Sequence, residues 1–486
     1  MAFAAAVAIS VSGRARASTW TIDRVRFEPV LPPGPPPPGN PANWLTSDSI
    51  GSYRGALNVT RDGPNVAVID DVGFQDYLLG LSEMPRTWPL PALEAQVVAA
   101  RTYALWHVLA APPSPWKNAG AQICASDSCQ VYRGLGAEQA KGSNQWATAV
   151  AATADQVLLW HRLVVFPAYG SSDGGQTVSG GVPWLPAVAD PDDATSPLHH
   201  WQWSAPLQAL EATLGITAPD HLTALVTQNG QVVATVTHAD GSTTNTAFDP
   251  AAFYQTLNKT FPAPAGLPRP LPSRRFSVSS SSGQVAFDGS GFGNLVGLSQ
   301  YGALGKALKG MAAPDILASY YGGLRPVVLP ATQMPASILV EIGSGRPQLK
   351  VWAPGPLRVL DASGKVLAVT TGGAWTVTAD RGGALRVEPG GAVVEPAKLP
   401  DPPAAFETPI PAAPAPTAPS PPALPPAQPA VVDPLQPAIK PIAQAASPTL
   451  LLVGAAALFV LTAGGVTAAA WRRLRGSPFP IRMLGR

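Results

Sequence analysis

The stretch that most limits how this chain can fold is Leu90–Ala110, LPALEAQVVAARTYALWHVLA. Pro91 stands at a first helical position, where its missing N–H costs nothing, and apolar residues recur at Leu93, Val97, Ala100, Ala104 and Val108. The spacing predicts an amphipathic helix laid against a core. In front of it runs the link LSEMPRTWP, where Glu83 is bounded by Pro85 and Pro89 and lies close to Met84 and Trp88. The prolines leave this backbone little freedom, so an acidic side chain is held in an apolar frame. A carboxyl desolvated in that way keeps its proton to higher pH and can serve as a general acid near neutrality. The plainer alternative is a charge near a helix start, favoured by the helix dipole.

A chain of 486 residues allows two or three domains. With a net charge of +2 and 13% charged residues, it has no electrostatic footprint for nucleic acid, so partners must be argued from sites. The 56 prolines cluster in a few blocks, which divides the chain into folded units joined by stiff linkers. Residues 1–17, MAFAAAVAISVSGRARA, end in Ala15-Arg16-Ala17 and read as an imperfect or truncated export signal without its basic start. Residues 18–43, with PPGPPPPGNP, read as a Pro-rich spacer.

At the other end, residues 399–448 form a Pro/Ala-rich linker and 449–471 an uncharged apolar run, about the 20 residues that a helix needs to cross a bilayer. Arg472, Arg473 and Arg475 follow in the tail 472–486, which the positive-inside rule puts in the cytoplasm. The expected arrangement is a single-pass cell-membrane protein with its preceding domains outside, facing the cell wall.

Two folded regions lie between. Residues 44–325 mix strand-like runs (YRGALNV, NVAVI, QVLLW, RLVVFPAYG) with helices, including APDILASYYGG, opened by Pro314 and closed by Gly322 and Gly323. Residues 326–398 alternate in short runs (ASILVEI, LKVWA, LRVL, KVLAVTT, AWTVTA, ALRVE) between turn residues and read as a small all-β module. The expected class is α+β.

Glu83-Met84-Pro85, Trp88-Pro89 and ALEAQVVAARTYAL resemble the signature of the SpoIID/LytB family of bacterial cell-wall remodelling. Similar blocks continue through CQVY, AYGSSDGGQT (168–177), WQWSAPLQALEATLG and GFGNLVGLSQYGALGKALKG (291–310), from about Tyr53 to Gly323. In the last block Asn294 and Leu295 stand where the family has histidine and glycine, and Asn cannot titrate near neutral pH. The resemblance implies a glycan groove, peptidoglycan glycan strands as partner, and one of two activities. SpoIID members are lytic transglycosylases that prefer strands freed of stem peptides, whereas LytB members enhance a cell-wall amidase. It implies no cofactor.

Within that frame the expected site is Glu83 as the one catalytic residue. Trp88 is a sugar-stacking platform, and Arg101, Ser172, Asp173, Ser299, Gln300 and Tyr301 contact substrate. Gly174 and Gly175 would let backbone approach a ligand, although 168–177 taken alone is also an ordinary polar turn. Glu94 shares a helix face with Arg101 and reads as solvated or Arg-associated. Cys124 and Cys129 are either a disulfide or half of a zinc site, since some family members recruit flanking histidines. Ser128 precedes Cys129, and His107 and His161 are distant, so a disulfide is favoured and no metal is expected. A hydrolase needs two carboxylates, whereas a lytic transglycosylase is served by one acid because the sugar supplies its own O6 nucleophile.

Overall fold

The computed structural model describes residues 19–30, 44–47, 50–110, 120–353, 355–370, 373–390 and 393–394. The expected export signal, the polyproline run at 32–41, the 399–448 linker, the 449–471 membrane helix and the 472–486 tail lie outside the described residues. Among the described residues no helix is long and apolar enough to cross a membrane.

Helices and strands mix as expected, but the two ends of the chain build the same sheets. One sheet has the strand order Val393–Val394, Val366–Thr370, Leu357–Leu360, Arg24–Pro29, Ala56–Asp62, Asn65–Gly73, Ser337–Arg346, Ile123–Cys124. The other runs Trp20–Ile22, Leu385–Pro389, Trp375–Ala379, Gln348–Trp352, Trp44–Ser47, Gly51–Arg54. Two expectations are corrected. The runs in 326–398 do form strands, but not a separate module: they interleave with strands from residues 20–73. The 18–43 segment is no mere spacer either, because Trp20–Ile22 and Arg24–Pro29 pair into the two sheets. Inward residues alternate along each strand, as Val25 and Phe27, Leu57 and Val59, Val351 and Leu349, and Trp375 and Val377 do, and all are buried in one continuous core. Trp375 anchors it, stacked on Trp20 and tilted against Phe27.

The helices follow in chain order: α1 (Phe74–Leu79), α2 (Leu90–Ala110), α3 (Leu135–Glu138), α4 (Ser143–Ala152), α5 (Pro250–Thr260), α6 (Gln300–Leu308) and α7 (Ala313–Tyr320). The Pro91 helix forms where predicted, but it is not amphipathic. Residues 95–105 are buried on every side, because α4, α6 and α7 pack around it. Alanines at 92, 95, 99, 100 and 104 let those neighbours come close. The buried Arg101 donates to Thr153 Oγ1 at 3.2 Å, Gln156 O at 3.3 Å and Val150 O at 3.2 Å.

Residues 201–289 carry a second core, built on Trp201, Leu225, Phe253 and Phe287 under two three-stranded sheets and α5. This insertion is tied back to the main body: Trp201 Nε1 donates to Gly291 O, and Arg275 donates to Asp173 O and Gln176 O.

Candidate functional site

The link ahead of α2 turns back on itself, with Trp88 N–H donating to Pro85 O and α2 beginning at Pro89 O, so Glu83 is set on a backbone held at both sides. On one side Leu81 pairs with Tyr132 in an antiparallel bridge and Ser82 N–H donates to Val131 O. Glu83 Oε1 accepts two hydrogen bonds, from Val131 N–H at 2.6 Å and from the Tyr169 hydroxyl at 3.0 Å. Oε2 has no partner among the described residues and is not sealed from solvent. Burial pushes the carboxyl up from its ordinary 4.5 to about 7, against the opposing pull of those two donors. No cation pairs with it among the described residues.

Behind the acid runs a chain of hydrogen bonds. Tyr77 Oη donates to Gln130 Oε1 at 2.9 Å, and Gln130 Nε2 donates to Tyr169 Oη at 2.9 Å and to Ala100 O on α2 at 3.3 Å. The buried Gln130 thereby fixes the phenol that fixes the acid, with α2 as the wall behind them. Gln130 and Val131 follow Cys129 directly, and Cys129 is joined to Cys124 in a disulfide with Cα atoms 5.5 Å apart. The bond pins the segment that supplies the Val131 N–H to Glu83 and the Gln130 amide to Tyr169. Sequence reasoning did not single out Tyr77, Gln130 or Tyr169. The CQVY run was the available signal, since a glutamine among hydrophobic neighbours needs partners.

Trp88 and Tyr301 sit edge to face at 4.9 Å, both half-buried, so the two aromatics expected at the groove are brought together. The other expected contacts are placed differently. Ser172, Asp173 and Ser299 are all buried, gathered around Asp193. Asp193 accepts from Ser172 Oγ and Ser299 Oγ at 2.7 Å each, from the backbone N–H of Asp173 at 3.2 Å and from that of Gly174 at 2.9 Å. His199 Nδ1 lies 3.0 Å from the same carboxylate. Beside this hub Lys306 Nζ pairs with Asp190, which also accepts from Tyr320 Oη. Asp173 is held neutral to about pH 8 by burial and by the charges of Asp190 and Asp193. The two hydroxyls and two backbone N–H groups are satisfied by Asp193 and tie the 169–175 loop to the 291–302 loop, whereas Asp173 Oδ2 is buried without a hydrogen-bond partner among the described residues.

Gln300 is likewise buried, donating to Gln96 of α2 at 3.3 Å. Arg101, also expected to touch substrate, is buried inside the fold as described above. Glu94 makes no ion pair with it. The glycines are spent on the protein: a Cβ at Gly174 would stand 2.7 Å from Gly291 N, and one at Gly297 only 1.9 Å from Ala168 O. Asn294 is also structural, its Nδ2 donating to Tyr169 O at 3.2 Å and its Oδ1 accepting from Val296 N–H at 2.9 Å. Leu295 keeps a left-handed backbone at φ +62°, where the family pattern has glycine.

A family model described as Stage II sporulation protein, SpoIID, matches residues 62–160, the segment that carries Glu83, α2 and the disulfide. Among curated relatives is Stage II sporulation protein D of Bacillus amyloliquefaciens, 24% identical over 302 residues, 57% of this chain and 83% of that one. The amidase enhancer of Bacillus subtilis is 26% identical over 288 residues, 50% of this chain and 39% of its own length. The chain carries the SpoIID/LytB family signature. A further relative is an uncharacterized protein of Brachyspira hyodysenteriae, 27% identical over 290 residues, 56% of this chain and 71% of that one. Tyr169 and Tyr301, the partners of Glu83 and Trp88, lie beyond the span of the family model.

Proposed function

We propose that the protein is a cell-wall enzyme of the lytic transglycosylase type, cleaving peptidoglycan glycan strands between N-acetylmuramic acid and N-acetylglucosamine with Glu83 as its single acid and base. The observation that carries this reading is the state of Glu83: uncompensated by any cation among the described residues, raised to about 7, with Oε1 engaged and Oε2 open. In the reaction the neutral carboxyl gives its proton to the bridging oxygen as the C1–O bond breaks. The muramyl O6 then attacks C1, and the carboxylate takes the O6 proton back. No water is consumed, so one acid suffices. Trp88 and Tyr301 offer ring faces and edges for sugar stacking.

The test is product analysis of stem-free glycan strands incubated with the full chain. Wild type should yield 1,6-anhydromuramyl ends by mass spectrometry and Glu83→Gln none. Equal yields from both would remove Glu83 from catalysis.

A second reading is a glycan-holding enhancer of a cell-wall amidase. It is favoured by the likeness to the Bacillus subtilis amidase enhancer and by Asn294, a residue that cannot exchange a proton near neutral pH. Retention on insoluble peptidoglycan without anhydro ends, together with a faster amidase in its presence, would select it. The apolar run at 449–471 and the arginines after it support anchoring in the cell membrane with the folded part outside.

A further inference from the structure

A cavity of about 450 Å³ opens directly beside the acid's backbone. Its wall includes Ile50, Ser52, Ser82, Arg133, Leu135 and Gln139. Ser82 is the residue before Glu83, so cavity and acid are one Cα step apart along the chain. The local pairing sets which side chains reach it. Leu81 opposite Tyr132 buries one face, and alternation along the two strands turns Ser82 and Arg133 to the other. Arg133 N–H donates to Gly80 O, which fixes the strand beneath it.

Among the described residues this cavity carries a single charge. The neighbouring cations are committed elsewhere: Arg54 is bidentate to Glu138 at 2.7 and 2.8 Å, and Arg86 donates to the carbonyls of Leu79 and Leu81. Glu138 is thereby neutralised. Among the described residues the Arg133 guanidinium, which is exposed, has no hydrogen bond or ion pair and is the one charged group of the lining. Hydroxyls of Ser52 and Ser82 and the amide of Gln139 stand with it, while Ile50 and Leu135 supply an apolar wall.

Resting on the reading above that glycan strands run past Glu83, we propose that this cavity takes a carboxylate carried by the strand and that Arg133 is the residue that selects for it. A guanidinium matches a carboxylate through paired N–H donors and gains nothing comparable from a neutral amide. A muramic acid bears a lactyl group whose carboxyl is free on a stem-free strand and tied up as an amide when a stem peptide is attached. The apolar wall suits the lactyl methyl. A stem peptide brings carboxylates of its own, which makes it the other source of the same chemistry. If the lactyl group is the ligand, the reaction class that supplies this substrate is hydrolysis of the lactyl–peptide amide.

The experiment measures binding of the full chain to three soluble strands: stem-free, stem-free with the lactyl carboxylates converted to methylamides, and stem-bearing. Wild type is expected to bind the stem-free strand about tenfold more tightly than the methylamide. In Arg133→Gln that ratio should fall to about one, and Arg133→Lys should retain part of it. A preference for the stem-bearing strand that vanishes in Arg133→Gln upholds the carboxylate site with the peptide as its source. Wild type that treats all three alike, or discrimination that survives Arg133→Gln, overturns the proposal. Because Arg133 is exposed and bonded only through its backbone, these variants should fold, which thermal melting checks. Binding is read without turnover, so carboxylate discrimination in the absence of anhydro ends would sink the enzymatic reading and leave the cavity's role standing.

Discussion

For an acid that must both give and recover a proton near neutrality, the decisive quantity is where its two charge states balance, and Glu83 is moved there first by burial, with a smaller push from the charge of Asp127. Cleavage needs the neutral form first, so its rate should fall as pH rises through about 7, a limb that a pH–rate profile reads directly. Stability carries the same sign. The folded carboxyl binds its proton more tightly than the unfolded one at 4.5, so the contribution is complete below 4.5 and is lost as pH rises through about 7. Glu83→Gln should therefore stabilise the protein above pH 7, by on the order of 2 kcal/mol, and flatten that part of a melting-temperature curve. Tyr169→Phe makes the complementary case. Its hydroxyl favours the carboxylate, so removing it should push the Glu83 limb to still higher pH, while leaving Gln130 short of an acceptor should cost about 1–2 kcal/mol in urea unfolding. An unshifted limb would show that Tyr169 does not act on the acid.

The elements around the acid divide into those that hold it and those that hold each other. The loops 169–175 and 291–302 belong to the second kind, and at Gly302 α6 packs against Asp190 and α7, where a Cβ would lie 2.0 Å from Asp190 Oδ2 and 2.1 Å from Tyr320 Oη. Asp193→Ala removes the acceptor shared by two hydroxyls and two backbone N–H groups, and should cost roughly 3–5 kcal/mol in chemical denaturation. Loss of activity with unchanged stability would instead make Asp193 a chemical participant. The disulfide acts on the holding side: removing it with Cys124→Ala and Cys129→Ala should cost about 2 kcal/mol by loop entropy and slow cleavage by loosening Gln130 and Val131. Sequence made the framed Glu83 and the proline-started helix readable because both depend on neighbours in the chain. It did not show that the Ser172 and Ser299 hydroxyls meet Asp193, because a short polar side chain looks the same whether it awaits a ligand or satisfies a buried aspartate. The even burial of α2 was hidden for a related reason: alanine suits a tightly packed interior as well as an indifferent surface.

At the scale of the molecule, the pairing of residues 20–73 with 337–394 was the least readable feature, since each strand's period reports which face is buried and not which distant strand lies beside it. Strand Asn65–Gly73, which leads into α1 and the Glu83 link, is bordered on one side by Ala56–Asp62 and on the other by Ser337–Arg346. Cutting the chain after residue 325 would strip that second border and leave Val66, Val68 and Val72, now fully buried, against water. It would also open Arg24–Pro29 and Asn65–Gly73 as edges of one sheet and bare Trp44–Ser47 in the other. A fragment spanning 44–325 should therefore lack the native near-UV dichroism, exchange its amide protons throughout the Asn65–Gly73 strand and aggregate, while the chain carrying 19–394 should unfold with that strand protected. If the shorter fragment instead proved monomeric, with slow exchange in Asn65–Gly73 and wild-type binding to glycan strands, the strands after residue 325 would be an appendage to the site and not the frame on which Glu83 is hung.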